Sequence, residues 1–402
     1  MSTIYSNSII LGKNESGKTY KAEGYQHILL LAPHGSGKGV AFVLPILLTS
    51  EESCIVHDIK LENYELTSGY RKSIGHKIFI FNPLNINHKT HRYNPLDFIG
   101  ETVEQKINNI QKIANLLING SYNSKTLFTG LVLYLYATDG IKTLGKISRM
   151  INSDLVQELS EGLKKINKSN NSHCFDIISG FLAQSKEQRE KIINELKESL
   201  YLWTNPLIDY ATSESDFDIA SLKASKTTIY IGINPDEIVI LQPLMRLFYN
   251  HAFERLMDTS MILGNSSENG GVTVILDDFY TLGKLESYAF GYLRGYKVRL
   301  FAIASSIQDI EELYGESEAS NIISDCSFKI FFGANDFKTA KHISYLCLDK
   351  KENKEIMSWQ EIMNLPQDLQ IVLAEKEQPL ALKKMRYFED EVLKKRIFGF
   401  DK

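Results

Sequence analysis

Short apolar runs separated by helix-length segments occur near the start of the chain and again in its second half. The early runs are HILLL at 27–31, SCIVHD at 53–58 and HKIFIFNP at 76–83. Later runs of the same kind are TTIYIGI at 227–233, VTVILDD at 272–278, VRLFAIA at 298–304 and FKIFFGA at 328–334. Continuous apolar runs indicate strands buried on both faces, as in parallel sheets covered by helices. The pattern predicts an α/β fold with a mostly parallel central sheet flanked by helices.

The spacing of apolar residues changes in the segment from about residue 104 to residue 219. Apolar side chains recur there every three or four residues with charged residues between them, as in VEQKINNIQKIANLLI and KEQREKIINELKESLYLW. This spacing is typical of amphipathic helices. We therefore predict an α/β domain formed by residues 1–103 and 220–402, into which an all-α domain of residues 104–219 is inserted.

Two glycine-lysine motifs are candidates for a phosphate-binding loop. The strict pattern GxxxxGK[ST] occurs at residues 12–19, as GKNESGKT. Such a loop needs a strand before it and a helix after it, because backbone N–H groups at the helix start cradle the phosphates. After Lys18, only residues 19–23 precede Gly24 and the next apolar run. We therefore expect a surface hairpin at 12–19.

The second motif, APHGSGKGV at 32–40, has the required context, since it follows HILLL and opens the apolar segment VAFVLPILL. Glycines allow close backbone approach to phosphate, and the lysine of such a loop reaches the β- and γ-phosphates. Two positions depart from the strict pattern: Ala32 replaces the first glycine, and Gly39 stands where Ser or Thr would bind Mg²⁺. The predicted nucleotide-binding residues are His34, Gly35, Ser36, Gly37, Lys38, Gly39 and Val40.

A phosphate loop also needs acidic side chains on a neighbouring strand, which hold the metal and the attacking water. The run VTVILDD ends in Asp277 and Asp278, and ligands of open α/β sheets bind beyond the carboxyl ends of strands. We assign Asp277 to Mg²⁺, through water if Gly39 offers no ligand, and Asp278 to activating the water. The alternative is that the two acids only cap a turn. Asp58 also ends a predicted strand and is a weaker candidate for the same crevice.

Taken together, these segments resemble the coupling proteins of type IV secretion and conjugation systems, which are RecA-like ATPases. The resemblance is carried by APHGSGKGV, by HDIKLENYELTSGYR at 57–71, by FNPLNINHKTHRYNPLDFI at 81–99, by ILDDFYTLGKLE at 275–286, by GANDFKTAKHIS at 333–344 and by the closing MNLPQDLQIVL. It implies a RecA-like nucleotide-binding domain with an inserted all-helical domain, in agreement with the periodicity.

The resemblance also implies a function. Family members act as ATP- and Mg²⁺-dependent receptors that pass DNA–protein complexes or effector proteins to a secretion channel. The implied partners are channel components at the inner membrane, a substrate protein or relaxase–DNA complex, adaptor proteins on the all-α domain, and further copies of the chain in a hexamer. The implied location is cytoplasmic and peripheral to the bacterial inner membrane, with the family's usual membrane anchor absent from this chain.

Three departures from the family pattern bear on ATP hydrolysis. Asp278 replaces the usual glutamate, Ser305 replaces a glutamine that senses the γ-phosphate, and Ala32 is the third change. Asp309 stands in place of a second glutamine of the same segment. A retracted carboxylate weakens the geometry of water activation, so these changes would slow hydrolysis while nucleotide still binds.

Arg294, in the segment LRGY, has two interpretations. As an arginine finger it would contact the γ-phosphate bound to a neighbouring subunit. As an ordinary surface residue it would form a salt bridge, and the sequence favours neither interpretation.

Composition narrows the possible functions. The 402 residues include 45 Lys and Arg against 49 Asp and Glu, and the net charge of −4 argues against tight non-specific DNA binding. No stretch reaches the length of a membrane-spanning helix, and the amino terminus lacks a secretory signal. Three hypotheses follow: an ATP-hydrolysing coupling protein, a catalytically weak nucleotide-binding receptor or adaptor, and a DNA-pumping hexameric translocase.

Overall fold

A computed structural model describes residues 8–138, 140–258, 270–349, 354–375 and 377–399. The described residues form two compact units. The first lies within the ranges Met1–Ile80, Asp218–Ile238 and Ala252–Lys402, and the second within Phe81–Phe217 and Val239–His251.

The strands have the following bounds: β1 (Ile9–Lys13), β2 (Thr19–Ala22), β3 (Ile28–Leu31), β4 (Ser53–Ile59), β5 (Lys77–Phe81), β6 (Thr227–Ile233), β7 (Val272–Leu276), β8 (Val298–Ala304), β9 (Phe328–Phe331), β10 (Leu348–Asp349), β11 (Lys354–Glu355), β12 (Leu369–Ala374) and β13 (Leu380–Lys383). Within the described ranges, eleven of them form one sheet in the order β2-β1-β13-β12-β9-β3-β8-β7-β4-β6-β5, while β10 and β11 pair separately.

The centre of the large sheet is parallel and one side of it is antiparallel. Strand β3 pairs in parallel with β8 and β9, β7 with β8 and β4, and β4 with β6. The pairs β12–β9, β12–β13, β1–β13 and β1–β2 are antiparallel. The predicted α/β fold with a mostly parallel central sheet is confirmed. Because β3, β8 and β7 are neighbours and parallel, their carboxyl ends lie side by side at one edge of the sheet.

The central strands are apolar on both faces because helices cover both sides. Every residue of β3, β6, β7 and β8 is buried. The predicted runs at 227–233 and 298–304 coincide with β6 and β8. In the core, the rings of Phe42 and Phe301 meet edge to face with centroids 5.4 Å apart.

The α-helices have the following bounds: α1 (Leu44–Thr49), α2 (Glu62–Ser73), α3 (Val103–Leu117), α4 (Tyr122–Ala137), α5 (Leu144–Ile151), α6 (Leu155–Leu163), α7 (Ser172–Leu182), α8 (Lys186–Ser199), α9 (Pro206–Ala211), α10 (Ile238–Met257), α11 (Tyr288–Tyr292), α12 (Ile307–Tyr314), α13 (Glu316–Asp325), α14 (Phe337–Leu346), α15 (Trp359–Met363) and α16 (Glu391–Lys395). In the described ranges, none of these helices combines the length and the apolar character that a membrane span requires.

The second unit contains α3 to α9 and most of α10. Side chains cap several of its helices, and Thr102 with Gln105 forms a capping box at the start of α3. Its core includes stacked aromatic rings, with centroids 5.3 Å apart for Tyr93 and Phe217 and 5.4 Å apart for Phe81 and Phe248. The unit also takes in residues 81–103 and 239–251, which lie outside the segment predicted to be the all-α domain.

Candidate functional site

The loop at 32–38 joins the carboxyl end of β3 to a helix, as the sequence predicted. Ala32 continues the strand ladder, because its N–H donates to the carbonyl of Ala304 at 2.9 Å. Gly35 and Gly37 adopt φ of +78° and +86°, a region that side-chain-bearing residues rarely enter. The glycines therefore turn the chain sharply, whereas Ala32 occupies an extended position that does not require glycine.

The helix after this loop opens with a widened turn. Gly39–Val43 forms a π-helical turn that continues into α1, and the N–H of Leu44 donates to the carbonyl of Gly39. Apart from its chain neighbours and the backbone of its own helix, no atom of the described residues lies within 4 Å of the place where a Cβ of Gly39 would be, so a small side chain fits there. A helix start that follows a glycine-rich turn attracts anions through its N–H groups and its dipole.

Lys38 forms ion pairs with both acidic residues that follow β7. Its Nζ lies 2.8 Å from Oδ1 of Asp277 and 2.6 Å from Oδ1 of Asp278. The three side chains are only 17%, 15% and 11% exposed, respectively. The structure thus brings together three residues that the sequence assigned to one site, from segments about 240 positions apart.

Burial and charge shift the protonation of this cluster in known directions. Burial alone would lower the pKa of Lys38, but the carboxylates of Asp277 and Asp278 raise it above its ordinary value. Burial raises the pKa of Asp277, and the negative charge of Asp278 adds to that effect while Lys38 opposes it. Lys38 is therefore firmly protonated, as a phosphate-binding lysine must be.

The backbone at Asp278 places the two acids side by side. Asp278 adopts φ +49° and ψ +51° and precedes a short 3₁₀ helix, Phe279–Leu282. Its carbonyl accepts a hydrogen bond from the N–H of Thr281 at 2.9 Å. Aspartate tolerates this left-handed conformation better than most residues. The sharp turn directly after β7 thereby aims consecutive carboxylates at the same lysine.

Ser305, which the family resemblance aligns with a glutamine, follows β8 between the loop and the acidic pair. Its Oγ lies 3.2 Å from Nε2 of His34. Asp309 plays a different part, since its carboxylate accepts the N–H of Ser306 at 2.8 Å and completes the capping box of α12.

Asp58, the weaker candidate, serves the start of α2. Its Oδ1 accepts hydrogen bonds from N and Nδ2 of Asn63 at 3.0 and 2.9 Å, and its Oδ2 accepts one from the N–H of Tyr64 at 2.8 Å. Burial raises the pKa of Asp58 to about 7, against the effect of these donors. We therefore assign Asp58 a structural role.

Arg294 lies away from the cluster of Lys38, Asp277 and Asp278 of its own chain. It lies in a 3₁₀ turn, Leu293–Tyr296, directly before β8, and is exposed. Its charge acts on His27, which directly precedes β3 and whose Nδ1 accepts the N–H of Leu300 at 3.0 Å. Arg294 therefore lies near the amino ends of β3 and β8, whereas the phosphate loop lies at their carboxyl ends.

The strict motif at 12–19 is a hairpin, as predicted. Strands β1 and β2 pair antiparallel, and the N–H of Asn14 donates to the carbonyl of Lys18 at 2.9 Å. The turn lines a cavity of about 340 Å³ together with residues of both charges, among them Lys383, Arg386 and Glu389.

Sequence reasoning missed Lys384, which approaches the phosphate loop from the end of β13. Its Nζ donates to the carbonyl of Ser36 at 3.3 Å and lies 3.9 Å from the ring centroid of Phe332. Burial, with Arg386 nearby, lowers the pKa of Lys384 to about 8. No local signal could have found it, since almost 350 residues separate it from the loop. Tyr280 was also missed, although it lies only two residues after Asp278.

The residues fit a magnesium ion bound with nucleotide. Mg²⁺ prefers hard oxygen ligands and is commonly held by one or two carboxylates together with phosphate oxygens and water. Asp277 and Asp278 supply two such carboxylates beside the lysine, and Gly39 supplies no side-chain oxygen. Asp277 would hold the ion, with phosphate oxygens and water completing its shell.

Comparisons of sequence place the chain among known proteins. The family described as "Type IV secretory system Conjugative DNA transfer" matches residues 4–350 and 349–398. The protein VirD4 of Rhizobium radiobacter is 29% identical over 94% of this chain and 59% of its own length. The conjugal transfer protein TraG of Escherichia coli is 28% identical over 80% of this chain and 55% of its own length. The chain thus spans less than two thirds of these relatives.

Solved structures show the same fold. The conjugative coupling protein TrwBdeltaN70 in its unbound form is 17% identical, with a TM-score of 0.61, over 89% of this chain and 84% of that chain. TrwB in complex with the non-hydrolysable ATP analogue ADPNP is 16% identical, with a TM-score of 0.61, over 89% and 85%. The predicted RecA-like α/β fold with an all-α part is confirmed.

Proposed function

The chain belongs to the type IV secretory system conjugative DNA transfer family, and from this premise we propose that it is the nucleotide-binding part of a coupling protein. It binds ATP with Mg²⁺ over Lys38 and delivers DNA–protein complexes or effector proteins to a secretion channel. The observation that carries the proposal is the cluster of Lys38, Asp277 and Asp278 at the mouth of the sheet.

The geometry suggests how binding changes this cluster. The triphosphate competes with Asp277 and Asp278 for Lys38, whose ammonium group moves from the carboxylates to the β- and γ-phosphates. The N–H groups of the loop at 35–40 surround the phosphates. When bound, Mg²⁺ neutralises charge on the phosphate oxygens.

Asp278, once released from Lys38, orients and activates the attacking water. The water attacks the γ-phosphorus in line with the leaving ADP oxygen, and Asp278 accepts its proton. Lys38 stabilises the charge that accumulates on the phosphate oxygens in the transition state.

A second candidate function is a receptor in which nucleotide binds but is hydrolysed slowly. Two observations favour it: the short carboxylate of Asp278 and the serine at position 305. In that case nucleotide serves structure or assembly, and substrate recruitment does not require turnover.

The proposed partners follow the family. They are channel components at the bacterial inner membrane, a substrate protein or relaxase–DNA complex, and adaptor proteins on the all-α domain. Assembly into a hexamer would bring Arg294 of one subunit to the nucleotide of another, and this role stays a prediction. The proposed location is cytoplasmic and peripheral to the inner membrane.

The test of the nucleotide site compares the two lysines of the two motifs. We expect Lys38→Ala to weaken ADP and ATP-analogue binding by about tenfold or more, because it removes charge-assisted bonds to phosphate. Lys18→Ala is the matched control and leaves binding unchanged. Isothermal titration calorimetry with Mg²⁺ measures both, and the reverse result would place the nucleotide at the hairpin.

A second measurement distinguishes an ATP-hydrolysing coupling protein from a receptor that does not require hydrolysis. ATP hydrolysis and substrate transfer are followed for wild type, Lys38→Ala and Asp278→Asn, at several protein concentrations, with and without DNA. Loss of both activities together supports the ATP-driven coupling protein. Transfer that survives both substitutions supports the receptor, and hydrolysis strongly stimulated by DNA supports a translocase.

A further inference from the structure

In the first unit, three adjacent strands are each followed at their carboxyl end by a side chain that can form hydrogen bonds. His34 follows β3, Ser305 follows β8 and Tyr280 follows β7. Since β8 lies between β3 and β7 in the sheet, Ser305 stands in the middle of the row. The register supports this arrangement, because Leu31 pairs with Ala304 and Leu276 with Ala302.

A direct contact joins two of these side chains, and the third follows the adjacent strand. Oγ of Ser305 lies 3.2 Å from Nε2 of His34, while Tyr280 lies on the other side of Ser305 in the row, after β7. Among the described residues, no other hydrogen bond engages the ring of His34, so Nδ1 is available to a ligand. His34 belongs to the phosphate loop itself, four residues before Lys38.

The row lies beside the catalytic cluster. Tyr280 comes two residues after Asp278, whose carboxylate pairs with Lys38. A tyrosine hydroxyl carries its proton at neutral pH and can donate a hydrogen bond to a phosphate oxygen.

The chemistry of a γ-phosphate sensor requires a neutral or cationic donor next to the terminal phosphate. A glutamine at position 305 would reach that phosphate with its amide N–H₂. The serine side chain is too short to do the same alone. The ring of His34, which contacts the serine, and the hydroxyl of Tyr280, which follows the neighbouring strand, extend the donor set on both sides toward the loop and the acidic pair.

We propose that His34, Ser305 and Tyr280 together contact the γ-phosphate of bound ATP and replace the missing glutamine as its sensor. This inference rests on the proposed function, since it requires the triphosphate to lie over Lys38. Ser305 positions the ring of His34, and His34 and Tyr280 donate to the phosphate oxygens. The site thereby distinguishes ATP from ADP by contacts that only the triphosphate makes.

The test compares the affinity for a non-hydrolysable ATP analogue with the affinity for ADP, both with Mg²⁺. In His34→Ala, Ser305→Ala and Tyr280→Phe we expect the affinity for the analogue to fall about tenfold while that for ADP is unchanged. Tyr292→Phe is the matched control, because Tyr292 is 66% exposed on α11, and it alters neither affinity. Adding Ser305→Gln to His34→Ala restores the preference for the triphosphate.

Two outcomes would overturn the inference. An equal loss of affinity for both nucleotides means that the three side chains only support the loop, and unchanged affinities mean that they do not touch the phosphate. Neither outcome affects the nucleotide site, which is tested separately by Lys38→Ala. If the Lys38→Ala variant binds nucleotide as tightly as the wild type, both the nucleotide site and the sensor are refuted.

Discussion

Asp278 illustrates how one residue type serves backbone and chemistry at the same time. Its left-handed conformation, with φ +49°, allows the chain to turn directly after β7, and its carboxylate reaches Lys38 at 2.6 Å. Aspartate and asparagine enter this conformation more readily than glutamate. The shorter side chain therefore suits the local backbone, although it retracts the carboxylate that the proposed mechanism brings to the attacking water.

Asp278→Asn separates these two roles. Asparagine keeps the shape and tolerates the backbone, but it accepts no proton, so we expect kcat for ATP hydrolysis to fall about 10²- to 10⁴-fold. ADP binding is retained, because Lys38 is then held by fewer carboxylates. Single-turnover hydrolysis and calorimetry measure the two effects, with exposed Asp325→Asn as the control. Unchanged hydrolysis would remove Asp278 from the mechanism.

Gly39 offers a gain-of-function test at the same scale. A serine there has room for its Cβ and adds the hydroxyl that phosphate loops commonly present to Mg²⁺. We expect Gly39→Ser to lower the Mg²⁺ concentration required for nucleotide binding, while affinity without Mg²⁺ is unchanged. Gly39→Ala is the control, since it adds the Cβ without the oxygen. Equal effects of both substitutions would mean that the ion lies elsewhere.

At the scale of elements, the segment around residues 396–399 packs tightly on α1 and α2. The N–H of Gly69 donates to the carbonyl of Phe398 at 3.1 Å, and Nη1 of Arg396 donates to the carbonyl of Leu48 at 2.6 Å. A Cβ at Gly69 would collide with the backbone of Gly399 and the ring of Phe398. The close approach of backbone to helix therefore requires glycine at this position.

Gly69→Ala consequently tests the docking of this segment. We expect the free energy of unfolding to fall by about 1–3 kcal/mol, the usual cost of overpacking, despite the better helix propensity of alanine. Gly291→Ala in α11 is the control, because its Cβ would meet only an ordinary contact at 3.8 Å. Chemical denaturation measures both, and equal stability of the two variants would contradict the tight docking.

At the scale of the whole molecule, buried histidines couple stability to pH. Burial lowers the pKa of His27 to about 4, with Arg294 and Arg299 adding to the effect. Burial, together with nearby positive charges, also lowers the pKa of His57 and of His76 to about 3. These rings are neutral in the folded protein, whereas in the unfolded chain a histidine titrates near pH 6.5.

The sign of the pH dependence follows from that difference. Above about pH 6.5 the neutral histidines contribute fully to the free energy of unfolding. As the pH falls toward 4, the unfolded chain binds protons that the folded protein does not, so stability is lost. We expect the free energy of unfolding to decrease over this range in urea denaturation. His27→Asn keeps an acceptor for the N–H of Leu300. It should reduce the slope of the unfolding free energy against pH by up to about 1.4 kcal/mol per pH unit. His173→Gln, at an exposed position of α7, is the control and leaves the slope unchanged.

The sequence by itself determined the local elements and the chemistry of the site. The apolar runs at 227–233 and 298–304 coincide with β6 and β8, because turns and polar residues bound them on both sides. The motif at 12–19 has no helix-length segment after it, and this absence from the sequence predicted a hairpin. The apolar strand before Asp277 and Asp278 predicted that both acids lie near Lys38. These conclusions depend on a strand or helix and its immediate neighbours, which are encoded within a few residues.

Only the tertiary structure decided which distant residues meet. The contacts of Ser305 with His34 and of Lys384 with the loop follow from the order of strands in the sheet. The parallel pairing of β3 and β8 also places Arg294, which directly precedes β8, at the amino ends of both strands and away from the loop. Strand order reflects the packing of the whole unit, so no local pattern contains it, and residues hundreds of positions apart become neighbours only after the sheet has formed.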